Sequence, residues 1–357
     1  MFLNENRIVE KVCEFPTKLG DISESIFGGI STKNRLLHRL TVPEESGSES
    51  LYICEGLCKP VVLESELIHP YVSGAFSERF AFNSSPYRFM LPYELADKGD
   101  RKEYRIIPPE ELKVRFPMTY GRILEFKNRF DHNDSPLEPA DYSVRGKKLL
   151  EYLNTPKIIA TEGYRLQAAY DVSGNHIFEN GCGIILKDPE KYPYVTAVLN
   201  SQISRIFPSV CEHEMIYSSS VTPAVMKRFP IAFPEDRLTE GLITTISGYL
   251  MFLNQQKYAA GYSSSGWLDE LAGFYEQLSD LLVMDAYFGT GIDPKLLDSL
   301  EENIHPFAGD MESESNESLL SVLYYIKQRI LESSNFSNYG FKEGFSEILK
   351  SGILSFL

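Results

Sequence analysis

Residues 155–207, TPKIIATEGYRLQAAYDVSGNHIFENGCGIILKDPEKYPYVTAVLNSQISRIF, constrain the fold more than any other stretch. KIIATE (157–162) is a short apolar run of strand length. RLQAAY (165–170) is expected to pair with HIF (176–178), because Ser173-Gly174-Asn175 between them has turn chemistry. GCGIIL (181–186) gives a further strand. YVTAVLNSQISRIF then places Val195, Val198, Leu199, Ile203 and Ile206 on one side of a helix. The stretch reads as a half-buried sheet that presents basic, polar and aromatic side chains to a partner, with no catalytic apparatus in it.

The rest of the chain is longer than this sheet needs. At 357 residues it has room for two domains, and its apolar content fills real cores. It holds no run of about 18 apolar residues that would span a bilayer. Met1 opens no charged-then-apolar signal segment, so the chain is expected to be soluble and cytoplasmic, with no membrane partner. Five cysteines, at 13, 54, 58, 182 and 211, form no paired CxxC units and are expected as reduced thiols.

Net charge is −15, but unevenly placed. Residues 1–234 hold 28 Lys and Arg against 31 Asp and Glu, whereas residues 235–357 hold 7 against 19. The window 101–150 is locally basic, 11 against 8. Such a balance excludes a nonspecific nucleic-acid coat, which needs a dominant basic excess, but admits a reader that uses a few placed bases.

Taken in order, residues 4–13 read as a short amphipathic helix ended near Pro16. Asp21 is placed to cap a turn carrying Ile22, Ile26 and Phe27. Gly28-Gly29 then opens a loop of small polar and basic residues, Ser31 to Arg35, able to wrap an anion or simply to connect. LYICEG, PVVLES and the 80–92 segment are strand-like. Pro108-Pro109 starts a helix at the positions proline favours, with an interruption at Pro117. Its bases Lys113, Arg115, Arg122, Lys127 and Arg129 form either a solvated face or a phosphate-facing one. A loop at 135–143 leads to a short helix in VRGKKLLEYL. Thr222 caps another short helix with Pro223 in its first turn, and Lys227-Arg228 suit the end of its dipole. From 235 the texture becomes helical. Leu238, Leu242, Ile246, Leu250 and Leu253 share a stripe, and Trp267, Leu271, Phe274, Leu278 and Leu281 repeat at 4-3-4-3 spacing, as do Leu319, Leu323, Ile326 and Ile330.

Motif-bearing chemistry is sparse. Phe288-Gly289-Thr290-Gly291 fits a helix C-cap better than a methyl-donor loop, since no strand precedes it. Asn83-Ser84-Ser85-Pro86-Tyr87 lacks the second proline of an NPPY motif. Cys211-Glu212-His213-Glu214 are adjacent in an extended loop, so their side chains alternate sides and one metal cannot collect them. HExxH and GxSxG are absent.

Seven segments in order resemble the C-terminal specificity domain of TaqI-type adenine DNA methyltransferases and of fused type IIG restriction–modification enzymes. They are KLGDISESIFGGIST (18–32), YRFMLPYE (87–94), PPEELKVRFPMTYGRIL (108–124), YLNTPKIIATE (152–162), IFENGCGIILKD (177–188), YVTAVLNSQISRIF (194–207) and SSVTPAVMKRFPIAFPE (219–235). The resemblance covers roughly residues 5–290 and implies a mixed-sheet target recognition domain. With the helical spacing read above, the chain is expected to be α+β, a target recognition domain (1–234) followed by an acidic helical, bundle- or coiled-coil-like domain (235–357) for docking or spacing. It implies sequence-selective binding of double-stranded DNA on behalf of a DNA methyltransferase catalytic domain or subunit. By loop position, DNA contacts are expected from Lys33, Asn34 and Arg35, then Arg101, Arg105, Arg122 and Arg145, then Tyr164, Arg165 and Gln167, and finally Lys227 and Arg228.

Two departures from the family matter. The catalytic domain that precedes this region in the family has no counterpart here, so the chain is expected to need no cofactor and to be no enzyme by itself. Its acidity is unusual for a free-standing DNA binder. It is therefore expected either as a piece of a longer enzyme or as a separate specificity subunit. The rival expectation is a protein–protein interaction scaffold of the same fold that does not bind DNA.

Overall fold

The computed structural model describes residues 12, 14–43, 51–57, 59–72, 79–82, 87–98, 101–130, 135–162, 166–204, 221–259, 266–289, 292–306 and 315–333. The expected helix at 4–13 and the loop at 209–220 lie outside the described residues. The fold is α+β, with mixed sheets followed by long helices.

The N-terminal part supplies β1 (Ser23–Gly28), β2 (Ser31–Thr32), β3 (Arg39–Thr41), β4 (Leu51–Cys54), β5 (Lys59–Val62), β6 (Ile68–Val72) and β7 (Tyr87–Met90). Next come β8 (Tyr93–Lys98), β9 (Arg101–Ile106) and β10 (Val144–Arg145), and then β11 (Lys157–Glu162), β12 (Leu166–Asp171), β13 (Ile177–Phe178) and β14 (Cys182–Leu186). One sheet runs β1-β14-β11-β12 and is antiparallel throughout. A second runs β13-β6-β7-β3-β4-β5, with β13 parallel to β6 and the other pairs antiparallel. β8 pairs only with β9, and β2 only with β10, among the described residues.

Both faces of the four-stranded sheet are buried, which is why its strands read as apolar runs rather than alternations. Side chains of period two divide between two cores. Ile26, Ile158 and Ile184 point into one with the helix Tyr192–Asn200, whereas Phe27, Ile159 and Ile185 point into another with Tyr71, Phe89 and Phe178. The first core extends from Val12 to Ile330 and takes in the helices Arg237–Ala259, Gly266–Phe288, Pro294–Asn303 and Asn316–Glu332. Leu242, Ile246, Leu250 and Leu253 of the expected stripe are all buried there. Trp267, first in the 4-3-4-3 run, stays 43% exposed. A third core lies between the opposite face of the six-stranded sheet and the helices Pro109–Arg115 and Pro117–Phe130, which break at Pro117 as the sequence predicts.

Two expectations are corrected. Residues 23–28 form strand β1, not a continuation of the turn at Asp21: the helix is only Leu19–Ile22, and the Asp21 carboxylate accepts from the Lys18 N–H at 2.8 Å. RLQAAY pairs with KIIATE, with Ile159 opposite Ala169, rather than with HIF. HIF is carried to the other sheet, where Ile177 faces Tyr71. The cause is a buried hub at Asp171. Its carboxylate accepts from Ser173 Oγ (2.8 Å), His176 Nδ1 (2.9 Å) and the Gly174 N–H (3.0 Å), and it faces Lys157 Nζ at 3.2 Å. The Lys157 ammonium also donates to the Gly174 carbonyl. This cluster bends the chain away from a hairpin and towards β6. The β8–β9 pair is an element the sequence reading did not anticipate.

Candidate nucleic-acid interface

The Gly-Gly loop is built against a second loop, residues 143–148. β2 and β10 pair so that Ser31 faces Arg145 and Thr32 faces Val144. Around that pair the loops are tied by polar contacts. Thr32 Oγ1 donates to the Ser143 carbonyl (3.3 Å), Asn34 Nδ2 donates to the Asp141 carbonyl (2.8 Å), and the Val144 N–H donates to the Tyr93 hydroxyl (3.0 Å).

Two glycines permit the approach. A Cβ on Gly29 would strike the carbonyl oxygens of Phe178 and Glu179, because the Ile30 N–H donates to Phe178 across that point at 2.9 Å. Gly146 has φ +130, and a Cβ there would collide with Ile30. Gly28, by contrast, faces open space, so only the second glycine of the pair is sterically required.

This junction presents Lys33 and Arg145, both exposed, on one surface with the Ser31 and Thr32 positions. Lys147 is 81% exposed and lies 3.3 Å from Glu103 on β9, while Lys148 pairs with Glu151 at 2.9 Å. Across the loop, Arg35 Nε meets Glu179 at 2.7 Å, and its Nη2 donates to the Tyr71 hydroxyl at 3.3 Å. Tyr71 in turn donates to Glu179 at 2.7 Å. The hydrogen bond with Tyr71 raises the Arg35 guanidinium above its ordinary value, and burial pushes the Tyr71 phenol up to about 12. Arg39, four residues beyond Arg35, lies over Tyr71 (5.4 Å) and Tyr87 (5.1 Å), with Glu55 at 3.5 Å.

Other expected contacts are placed elsewhere. Arg122 is buried at 3% exposure, against Cys54 Sγ and over the Phe126 ring at 5.5 Å, and burial lowers its guanidinium. It lies in the third core and presents nothing to a phosphate. The helix carrying it packs that face on the six-stranded sheet, where the sequence pattern allowed an outward one. Arg105 is held by Glu94 and by Glu111 at 2.9 Å, and Arg115 shares both carboxylates, leaving a locally neutral network. Asn34 is spent on Asp141, so it ties loops rather than facing outward. Gln167 is half-buried in β12, opposite Thr161. Lys227 and Arg228 are exposed at the end of the helix Pro223–Lys227, packed beside Gly20. That turn leads into the first end of β1, whereas the Gly-Gly loop with Lys33 follows its far end, about 20 Å along the strand. The Arg101 side chain, Tyr164 and Arg165 lie outside the described residues.

The sequence reading missed Arg39, Lys147 and Tyr87 as parts of this surface, and the buried Tyr71 that supports it. For Arg39 a signal existed: Arg35 and Arg39 stand at i and i+4 around a single helical turn, Arg35–His38. Tyr71 and Tyr87 come from separate strands and had none.

Among the described residues no group of three or more His, Cys, Asp or Glu is arranged to hold a metal, and no helix is long and apolar enough to cross a membrane. Cys54 and Cys182 are buried free thiols.

No family model and no curated protein sequence matches this chain. Among solved structures it is similar to the Type IIL restriction-modification enzyme MmeI in complex with DNA, at 15% identity and a TM-score of 0.37. The match covers 88% of this chain and 36% of that one, so this chain spans little more than a third of that enzyme's length.

Proposed function

We propose that this chain is a sequence-specific DNA recognition module that directs a DNA adenine methyltransferase or restriction–modification activity to its target site. The observation that carries the reading is the β2–β10 junction. It sets Lys33 and Arg145, exposed, beside hydroxyl-bearing Ser31 and Thr32, with Arg35 and Arg39 along the adjoining edge. Flexible exposed cations and hydroxyls at a loop junction suit phosphate contacts, which give register and affinity. Planar guanidiniums fixed on aromatic rings suit recognition of base edges.

In this reading the chain transfers no methyl group and takes no cofactor; a methyltransferase catalytic domain or subunit supplies the chemistry. The charge distribution supports a division of labour. Residues 235–357 hold 19 acidic against 7 basic residues, which disfavours DNA on the helical side and suits a protein partner there.

The test is binding of the purified chain to a pool of randomised duplexes, read by anisotropy across a salt series and by sequencing the retained DNA. The expected result is an enriched short word and an affinity that falls steeply with salt. Binding that is flat with salt and enriches no word would leave a protein scaffold as the better reading. Retention of S-adenosylmethionine by the chain alone would overturn the division of labour.

A further inference from the structure

We infer that Arg39, with Glu55 beside it, reads one G·C base pair in the target. The inference rests on the DNA reading above and names the residue that would set one position of the word.

The guanidiniums of the described residues fall into distinct kinds. Arg105 and Arg115 are saturated by two shared carboxylates. Arg79 meets Glu276 at 2.6 Å and donates to the Asn200 carbonyl, and Arg122 is in the core. Arg39 differs from all of these. Its position is fixed by rings: the faces of Tyr71 and Tyr87 lie 5.4 and 5.1 Å from its Cζ, and Tyr71 is itself stacked on Phe89 at 5.6 Å. Its ion pair with Glu55 is long, 3.5 Å, and its Nε is turned inward with no acceptor among the described atoms. The side chain keeps 17% of its surface exposed. Among the described residues it is a guanidinium held in place by rings, with one long ion pair and a partly exposed side chain.

Guanine offers two acceptors, O6 and N7, spaced for such a planar fork, while the paired cytosine offers an amino donor that a carboxylate accepts. Arg39 and Glu55 carry that complementary pair side by side. The carboxylate also settles which part of DNA the site prefers. A phosphate brought to Arg39 would meet Glu55 as a like charge, whereas a neutral base edge would not. Arg39 opens β3 directly after the one-turn helix that Arg35 begins, and both arginines converge on Tyr71. The strip from Lys33 through Arg35 to Arg39 thus continues from the loop junction onto the sheet.

The experiment repeats the selection on randomised duplexes with Arg39→Lys, which keeps the charge and the aliphatic stem but loses the fork. The expected result is a word in which one G·C position becomes degenerate, with preference there falling roughly 5- to 150-fold and the salt dependence unchanged. A second arm uses the unmodified protein with 7-deazaguanine in place of each fixed guanine, so that it does not depend on a variant folding. One position should lose affinity, and that loss should vanish in Arg39→Lys. A folded Arg39→Lys chain that selects the same word with the same stringency overturns the inference while leaving the DNA reading intact. Deazaguanine that is harmless at every position does the same. If the unmodified chain enriches no word, the DNA reading fails first and this inference falls with it.

Discussion

Two basic regions of this molecule look alike as sequence and are opposite as structure. The window 101–150 carries 11 basic residues, and the loop KNR at 33–35 carries two. Yet in the richer window Arg122 is buried, Lys127 is 6% exposed on Asp141, and Arg105 with Arg115 closes a ring with Glu94 and Glu111. Arg145, Lys147 and Lys148 at its end reach the surface beside the poorer loop, while Lys113 and Arg129 are exposed on the helices instead. Burial and carboxylates together hold Arg122, Lys127, Arg105 and Arg115, whereas in the loop Glu179 holds Arg35 and leaves Lys33 exposed. A cation whose donors are met internally adds to the fold, while one left exposed at a glycine-shaped junction is free to meet a phosphate. Charge counts along a chain measure neither.

The sharpest way to separate the two kinds of cation is to strip a pinned one of its carboxylate. Lys157 is fully buried and Asp171 is nearly so. Asp171→Ala leaves the ammonium unpaired and unties the 171–176 turn, so it should cost about 3–5 kcal/mol in urea unfolding, a loss of the size seen for broken buried pairs. A loss below about 1 kcal/mol would mean that the hub does not direct β13 to β6.

Next in size is a pH effect from the same core that swallowed Arg122. His38 is fully buried, its Nδ1 lies 2.7 Å from the Met90 carbonyl, and burial lowers its pKa to about 4. The carbonyl can only accept, so the neutral ring carries its proton on Nδ1. Below pH 6.5 the unfolded chain takes up a proton that the folded one refuses. Stability is therefore complete above about 6.5 and declines as pH falls towards 4, by up to about 3 kcal/mol. His69, half-buried and lowered to about 4 chiefly by burial, acts in the same direction. Urea midpoints at pH 7 and 4.5 should show the fall, and His38→Gln should flatten part of it. An equal fall in His38→Gln would assign the effect elsewhere.

How much of this the sequence disclosed depends on the range over which each feature is decided. Features settled within one element were legible. The break at Pro117, the Thr222 cap and the helix end at Gly289, whose N–H donates to Asp285 at 2.7 Å, are local matters of φ and capping. Partner choice was not legible. RLQAAY could pair with either neighbour, and the Asp171 hub chose between them through Lys157, 14 positions back. The candidate site shows the same limit. Lys33, Arg35 and Arg145 could be read from loop chemistry, but their assembly with Tyr71 and Tyr87 needed three strands from two sheets.

The junction itself gives a smaller, sharper contrast between adjacent residues. Gly29→Ala places a methyl group on two carbonyl oxygens and should cost about 1–3 kcal/mol, as overpacking does. Gly28→Ala points into open space and should stay within about 0.5 kcal/mol. Equal effects at the two positions would break the account of how the loops close.

The smallest stability effect bears most directly on the two regions compared. Lys33→Ala and Arg145→Ala remove exposed cations and should leave the melting temperature nearly unchanged. If each meets one phosphate, the double variant should make the slope of log affinity against log salt shallower by about 1.8, at roughly 0.9 per contact on duplex DNA. Arg105→Ala breaks a solvent-screened network and should also leave the melting temperature nearly unchanged. It should leave the salt slope where it was, because its charge is already answered by Glu94 and Glu111. The three variants match in stability and differ only in salt dependence, so the measurement isolates the availability of the cation from its contribution to the fold. A slope that responds to Arg105 and not to Lys33 and Arg145 would move the DNA surface from the loop junction to the β8–β9 pair.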